Sequence, residues 1–286
     1  MNSMVQYTLE HLRPYYPESE AFEIALWVAE ELSGLDRTHL ILESDCKDIK
    51  NILYLEKIIS RLIKKEPIQY ILGYTDWMGL RLLLNSYTLI PRPETAELVE
   101  WICSMDWSSK INNNRPLRIL DLCTGSGCIA LALKQKHPEW DIWGIDVQEE
   151  CIAIARQNSQ NLNLDVEWKV GNVLSADILN ILPDEVDIIV SNPPYVRICE
   201  KQDMSVNVLD HEPHLALFVP DTNPLIFYNN IARLYKSTHI FFEINEYLWN
   251  ETSLLLTSLG YTDIQIKKAA AFGGRNAGDG VPYGSF

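Results

Sequence analysis

A chain of 286 residues with 47% hydrophobic content can bury a substantial core and is somewhat long for one average domain, so two domains are expected. A formal net charge of −15 repels a phosphate backbone over most of the surface, which argues against DNA or RNA as substrate because no local basic patch stands out. No stretch of about 18 uncharged apolar residues reads as a membrane span, and the N-terminus lacks the basic-then-apolar layout of a signal peptide, so the chain reads as cytoplasmic.

From about Val5 to Lys65 the pattern is helical and amphipathic. Ala21, Ile24, Ala25, Val28, Ala29 and Leu32 recur at i, i+3, i+4 spacing until Gly34 stops the run, and Ile52, Leu55, Ile58, Ile59 and Leu62 repeat the period. Residues 1–66 therefore read as a small all-α domain. Residues 67–93 carry Gly73, Gly79, an alternating stretch from Leu80 to Leu84 and the punctuation Pro91-Arg92-Pro93, which predicts a linker with a β-hairpin. Residues 94–286 open with a helix from Glu94 to about Cys103 and a polar loop over Ser108–Asn114. Strands and helices then alternate: strand 117–120, helix 128–136, strand 142–145, helix 149–161, strands 166–170 and 186–190, helix 224–235, strand 239–244, helix 247–259 and strand 263–266. Such alternation predicts an α/β fold, a Rossmann-like mostly parallel sheet with helices on both faces. Ligands on that architecture sit beyond the C-terminal strand ends, where strand order switches.

The first strand of the sheet ends in Asp121 and runs into Leu122-Cys123-Thr124-Gly125-Ser126-Gly127 before a helix, a turn whose glycines let backbone approach a ligand closely. About twenty residues on, the second strand ends at Asp146, a carboxylate placed to accept hydrogen bonds from the two hydroxyls of a ribose. After the third strand, Asn172 offers adenine a polar contact and Val173 an apolar wall. Asp121 falls near the far end of such a ligand, where its charge offsets an ammonium or sulfonium. Taken singly, Gly125 and Gly127 are equally compatible with a tight turn alone, and Asp146 with a helix cap. Together they define a nucleoside site without fixing its chemistry.

The fourth strand feeds directly into Asn192-Pro193-Pro194-Tyr195. Two consecutive prolines fix φ and remove two donors, leaving an acceptor-rich rigid frame. The side-chain oxygen of Asn192 and the backbone carbonyl of Pro193 can each take one N–H of a planar amide or amine, while Tyr195 lies against its π face. An amide nitrogen is a poor nucleophile because its lone pair is delocalised, and accepting hydrogen bonds from both N–H groups returns density to it. Held about 3–3.5 Å from a sulfonium methyl and in line with the leaving sulfur, it can attack without a strong base. The pair of motifs predicts an S-adenosyl-L-methionine-dependent N-methyltransferase that releases S-adenosyl-L-homocysteine. The catalytic candidates are Asn192, Pro193, Pro194 and Tyr195. The cofactor candidates are Asp121, Cys123, Thr124, Gly125, Ser126, Gly127, Asp146, Asn172, Val173 and Asn192.

Six cysteines, Cys46, Cys103, Cys123, Cys128, Cys151 and Cys199, are scattered without a CxxC pair and read as reduced thiols. His211 and His214 flank Glu212-Pro213 without a further ligand cluster, so no metal is expected. Phe241, Phe242, Tyr247 and Trp249 read as core and rim. Arg92 and Glu243 are weaker candidates for the mouth of the site.

Over nearly its whole length the chain resembles the bacterial release-factor glutamine methyltransferases, the PrmC/HemK family. The resemblance is carried by Pro67-Ile68-Gln69-Tyr70-Ile71-Leu72-Gly73, Leu89-Ile90-Pro91-Arg92-Pro93-Glu94-Thr95, the glycine turn, Asn192–Tyr195 and His211-Glu212-Pro213. It implies methylation of N5 of the glutamine in the Gly-Gly-Gln loop of class I translation release factors. It further implies that the N-terminal helical domain helps to dock this partner and that Asn192 and Pro193 bind the glutamine amide. A monomer without a nucleic-acid partner is expected. Three departures stand out: Cys123 in place of the turn's first glycine, tolerable if its φ is negative; Asn172 where aspartate is common; and a tail, Lys267–Phe286, without the basic, strand-like ending expected. The competing readings are a nucleic-acid adenine-N6 methyltransferase, disfavoured by the acidic balance, and a non-catalytic partner-binding protein, disfavoured by the intact Asn192–Tyr195 loop.

Overall fold

The computed structural model describes residues 1–42, 52–107, 115–236, 238–268 and 282–285, the last of these as backbone. The predicted loop at 108–114, Cys46 and most of the tail lie outside the described residues. The chain forms two compact units, residues 1–72 with 206–211, and residues 73–205 with 212–286.

The first unit opens with α1 (Ser3–Leu12), α2 (Glu18–Ser33), α3 (Arg37–Leu42), α4 (Ile52–Ile63) and α5 (Ile68–Leu72). Asn2 caps α1, its side chain accepting from Met4 N at 2.9 Å. Gly34 ends α2 in the left-handed conformation at φ 69°, where a side chain would be strained. The helical periodicity translates into burial: Ala21, Ile24, Ala25, Val28 and Ala29 of α2 and Leu55, Ile58, Ile59 and Leu62 of α4 face one core with Val5 and Leu12 of α1. The Tyr16 hydroxyl donates to Leu62 O at 2.7 Å and ties the end of α4 to that core.

The second unit begins with the hairpin β1 (Tyr74–Trp77) and β2 (Leu80–Leu83), joined through Met78 and Gly79, both at positive φ as a tight two-residue hairpin turn requires. Helix α6 (Pro93–Ser104) starts with proline at its first position, where the missing N–H costs nothing. The elements β3 (Arg118–Leu122), α7 (Cys128–Lys136), β4 (Asp141–Asp146), α8 (Glu149–Leu162), β5 (Glu167–Val170) and β6 (Ile188–Ser191) then alternate. A short parallel pair, β7 (Val196–Arg197) and β8 (Phe218–Val219), brackets α9 (Val206–His211), which counts with the first unit. The chain closes with α10 (Ile226–Ile231), β9 (His239–Glu243), α11 (Trp249–Ser258), β10 (Gln265–Lys268) and β11 (Pro282–Ser285).

The large sheet has the order β5-β4-β3-β6-β9-β11-β10. Its first five strands are parallel, and β11 runs antiparallel to β9 and β10. Alternate residues of each strand feed opposite cores. Ile119, Ile188, Val190 and Phe241 pack against α6, α7 and α8, while Leu120, Leu122, Ile189, Ile240 and Phe242 pack with Tyr228, Ile231 and Leu256. Strand order reverses between β3 and β6, so the crevice beyond Leu122 and Ser191, which are register partners, is the switch point where ligands bind.

The tail corrects one expectation. Rather than lacking a strand, it returns as β11 and inserts between β9 and β10, and the edge strand runs over Gln265–Lys268 rather than 263–266. Only four residues long, β11 begins with proline, which a strand accepts at its first position, and contains Gly284, so propensity hides it.

Candidate cofactor and acceptor site

Strand β3 delivers the turn 123–127 to the start of α7 at the switch point. Cys123 adopts φ 58°, contrary to the negative value that would make a side chain easy there; it occupies the left-handed region that glycine enters freely. Gly125 has φ 57° and no atom within 4 Å of the place a Cβ would take, so its backbone faces open space. Gly127, at φ 82°, is fixed twice over, by conformation and because a Cβ would stand 2.7 Å from the Trp168 ring. Beneath the turn Asp121 is fully buried. Its Oδ2 accepts from Thr124 Oγ1 at 2.5 Å and from Ala130 N at 3.2 Å, while Oδ1 is buried with no partner among the described residues. Burial pushes this carboxyl up to about 7 against the opposing pull of those two donors.

At the end of β4, Asp146 Oδ2 accepts from Gly125 N at 2.9 Å and Oδ1 from Gln148 N at 3.0 Å, so one carboxylate braces the turn and the entry to α8. Burial raises its pKa, with the bonds from Gln148, Gly125 and Val147 opposing. Both oxygens keep a lone pair for an outside donor. Asn172 Oδ1 accepts from Leu174 N at 2.9 Å, so the oxygen expected to meet adenine is already half engaged. Val173 is buried.

From the end of β6, Ser191 Oγ donates to Leu122 O at 2.6 Å, tying the root of the Asn192–Tyr195 loop to the root of the glycine turn. Pro193 and Pro194 are buried, Asn192 and Tyr195 half-buried. Asn192 Nδ2 donates to Thr95 Oγ1 at 3.3 Å, and no described residue donates to its Oδ1. The Tyr195 hydroxyl donates to Glu243 Oε1 at 2.9 Å. Burial, then the neighbouring Glu243, holds the Tyr195 phenol well above its ordinary pKa, so it stays a donor.

One cavity of about 200 Å³ joins the two constellations. Cys123, Thr124, Gly125, Ser126, Asp146, Asn172, Val173, Asn192 and Pro194 line it, whereas Asp121, Gly127, Pro193 and Tyr195 adjoin these in sequence without being among the lining residues. Thr95, Gln148, Cys151 and Leu174 also line it and were not singled out from sequence. Thr95 ends the Leu89–Thr95 motif and Gln148 lies two residues past Asp146, and these positions are the signals that could have found them. Burial raises the thiols of Cys123, Cys128 and Cys151, the second to about 12, so they are protonated walls rather than nucleophiles. Arg92 lines the cavity and ion-pairs through Nη2 with buried Glu212 Oε1 at 2.6 Å. His211 Nε2 lies 3.2 Å from Lys64 O, and His214 packs edge-on against Phe218. Phe241 and Phe242 are core, while Tyr247 and Trp249 are exposed. A larger cavity of about 710 Å³ touches His239 and Tyr261, at the opposite end of β9, and none of the candidates lines it.

Residues 107–212 match the methyltransferase small domain, and residues 4–73 match the PrmC N-terminal domain. The release factor glutamine methyltransferase of Flavobacterium psychrophilum is 41% identical over 266 residues, covering 91% of this chain and 92% of its own. The protein of that description from Bacteroides thetaiotaomicron is 39% identical over 278 residues, covering 94% and 95%. The hMettl16 catalytic domain, solved in complex with a 3'UTR hairpin, superposes with a TM-score of 0.53 at 15% identity, covering 73% of this chain and 75% of its own, a likeness of fold.

Fold and site together define a Rossmann-like S-adenosylmethionine-dependent methyltransferase. Within that class, the chain belongs to the family of release factor glutamine methyltransferases.

Proposed function

We propose that the cavity holds S-adenosylmethionine along the glycine turn and presents the side-chain nitrogen of a release-factor glutamine to it at Asn192. The observation that carries this reading is that Asn192 and residues 123–126 line one cavity at the switch point. When bound, the cofactor supplies a methyl group on a positively charged sulfur. The residues fit such a ligand: Gly125 exposes backbone, Asp146 keeps lone pairs for ribose hydroxyls, and the orphaned Oδ1 of Asp121 suits a cation at the cofactor's amino-acid end.

On the acceptor side, Asn192 Oδ1 and the Pro193 carbonyl take the two amide hydrogens and return density to the nitrogen. Tyr195, anchored by Glu243, supports the amide plane. No described cavity thiol is ionised to compete for the methyl group. Catalysis is then orientation and electrostatic placement, and the surplus proton leaves after transfer. The chain is thus a protein-glutamine methyltransferase; its finer target is N5 of the glutamine in the Gly-Gly-Gln loop of class I release factors, with the helical segment 1–66 as the docking domain. Such a substrate places the work in the cytoplasm, and no helix among the described residues is long and apolar enough to cross a membrane.

The test is incubation with methyl-labelled cofactor and either a release factor or its Gln→Ala loop variant. Label on the first alone is expected; equal labelling of both would overturn the assignment.

A further inference from the structure

Glu243 stands at the C-terminal end of β9, beside the strand that feeds Asn192, and its side chain is buried. Both its oxygens are claimed: Thr95 Oγ1 donates to Oε2 at 2.6 Å, and the Tyr195 hydroxyl donates to Oε1 at 2.9 Å. Thr95, in the first turn of α6, has one hydroxyl hydrogen, and the short bond to the carboxylate uses it. Its oxygen can then only accept from Asn192, so the group at 3.3 Å must be the Asn192 NH2, and the Asn192 carbonyl oxygen is left for the cavity.

We propose that Glu243 and Thr95 are positioning residues that fix the face of the Asn192 amide and so make its oxygen, not its nitrogen, meet the incoming acceptor nitrogen. The order of donors runs one way, Asn192 to Thr95 to Glu243, and a carboxylate at its end sets that direction. A group that donates at position 243 frees the Thr95 hydrogen to point at Asn192 and favours the flipped amide, which would present two donors to an acceptor that also carries two. The same carboxylate seats Tyr195, so one buried charge aligns both side chains expected against the substrate amide. The relay explains a buried acid that the chemistry itself does not use. It rests on the reading of Asn192 given above and specifies how that residue is oriented.

Four single variants, Thr95→Val, Thr95→Ser, Glu243→Gln and Asn192→Ala, and the double variant Thr95→Val/Glu243→Gln separate the outcomes, each measured for kcat, KM for the release factor, cofactor affinity by calorimetry and thermal unfolding. Thr95→Val and Glu243→Gln are expected to lower kcat at least tenfold with cofactor affinity within threefold of the parent. Thr95→Ser should recover kcat to within threefold, and the Thr95→Val/Glu243→Gln double variant should be no worse than the poorer single, because both break one chain. If Glu243→Gln does not fold, Thr95→Val decides alone. Wild-type kcat in Thr95→Val, or failure of serine to rescue a loss, would overturn the relay. Loss in Asn192→Ala with normal Thr95→Val sinks only the relay, whereas normal turnover in Asn192→Ala sinks the underlying site.

Discussion

Cys123 carries a residue-scale conflict between the preference of a side chain and the conformation of the turn that holds it. A non-glycine residue in the left-handed region costs about 1–2 kcal/mol, and the turn imposes that conformation at φ 58°. Cys123→Gly is predicted to raise the melting temperature by about 2–4 °C, and Cys123→Val, with a β-branched side chain in the same conformation, to lower it. Differential scanning calorimetry of the two checks the sign; a fall in both would contradict the strain. Asp121 gives a pH signature. Its carboxyl titrates near 7 when folded against an ordinary value near 4, so between those limits the folded state binds more protons than the unfolded one. Linkage then makes this site's contribution to stability largest in acid and lost as pH rises towards 7, by up to about 1.4 kcal/mol per pH unit. Removing the titration with Asp121→Asn should flatten the difference in cofactor-free melting temperature between pH 5 and pH 7.5 relative to the parent, after allowance for Asp146 and Glu243, which are raised in both proteins. An unchanged profile would contradict the shift. The glycine turn and Asp146 were legible because their partners are local or one βαβ unit away. Glu243 was legible only as a weak candidate for the rim and Thr95 only as part of a motif; their pairing was not, since they meet across 148 positions and only the finished sheet brings them together.

Among elements, the turn between β3 and α7 is the most constrained. Gly127 combines φ 82° with a Cβ position 2.7 Å from Trp168, so Gly127→Ala meets both backbone strain and overpacking. It should destabilise the protein by about 2–4 kcal/mol in chemical denaturation and weaken cofactor binding; a loss under about 0.5 kcal/mol would show that the turn can relax. Long periodic elements were readable: α7 spans Cys128–Lys136 as its sequence predicts, and α8 and β4 differ from expectation by a residue or so at their ends. The elements that sequence misses are short and shaped by tertiary contact. β7 and β8 are two-residue strands, and β11 opens with proline. Helix α10 covers only Ile226–Ile231 of the expected 224–235.

For the whole molecule, amphipathic periodicity announces a helical unit and regular alternation an α/β unit. It cannot announce that residues 206–211, flanked on both sides by the second unit, cluster with the first, because nothing local distinguishes them from loop. Function was legible because two motifs fall at adjacent strand ends of a sheet whose topology forces those ends together: Leu122 pairs with Ser191, and the chains beyond them line one cavity. On the function proposed, cofactor grip and acceptor alignment are separate tasks of neighbouring loops, and they should come apart in a single variant. The decisive measurement is single-turnover methyl transfer by Asn192→Ala at saturating cofactor, with cofactor affinity measured alongside. Transfer slowed by about 10²–10³-fold, with the dissociation constant within about threefold, is the expected result; transfer at the parent rate would contradict the role of Asn192.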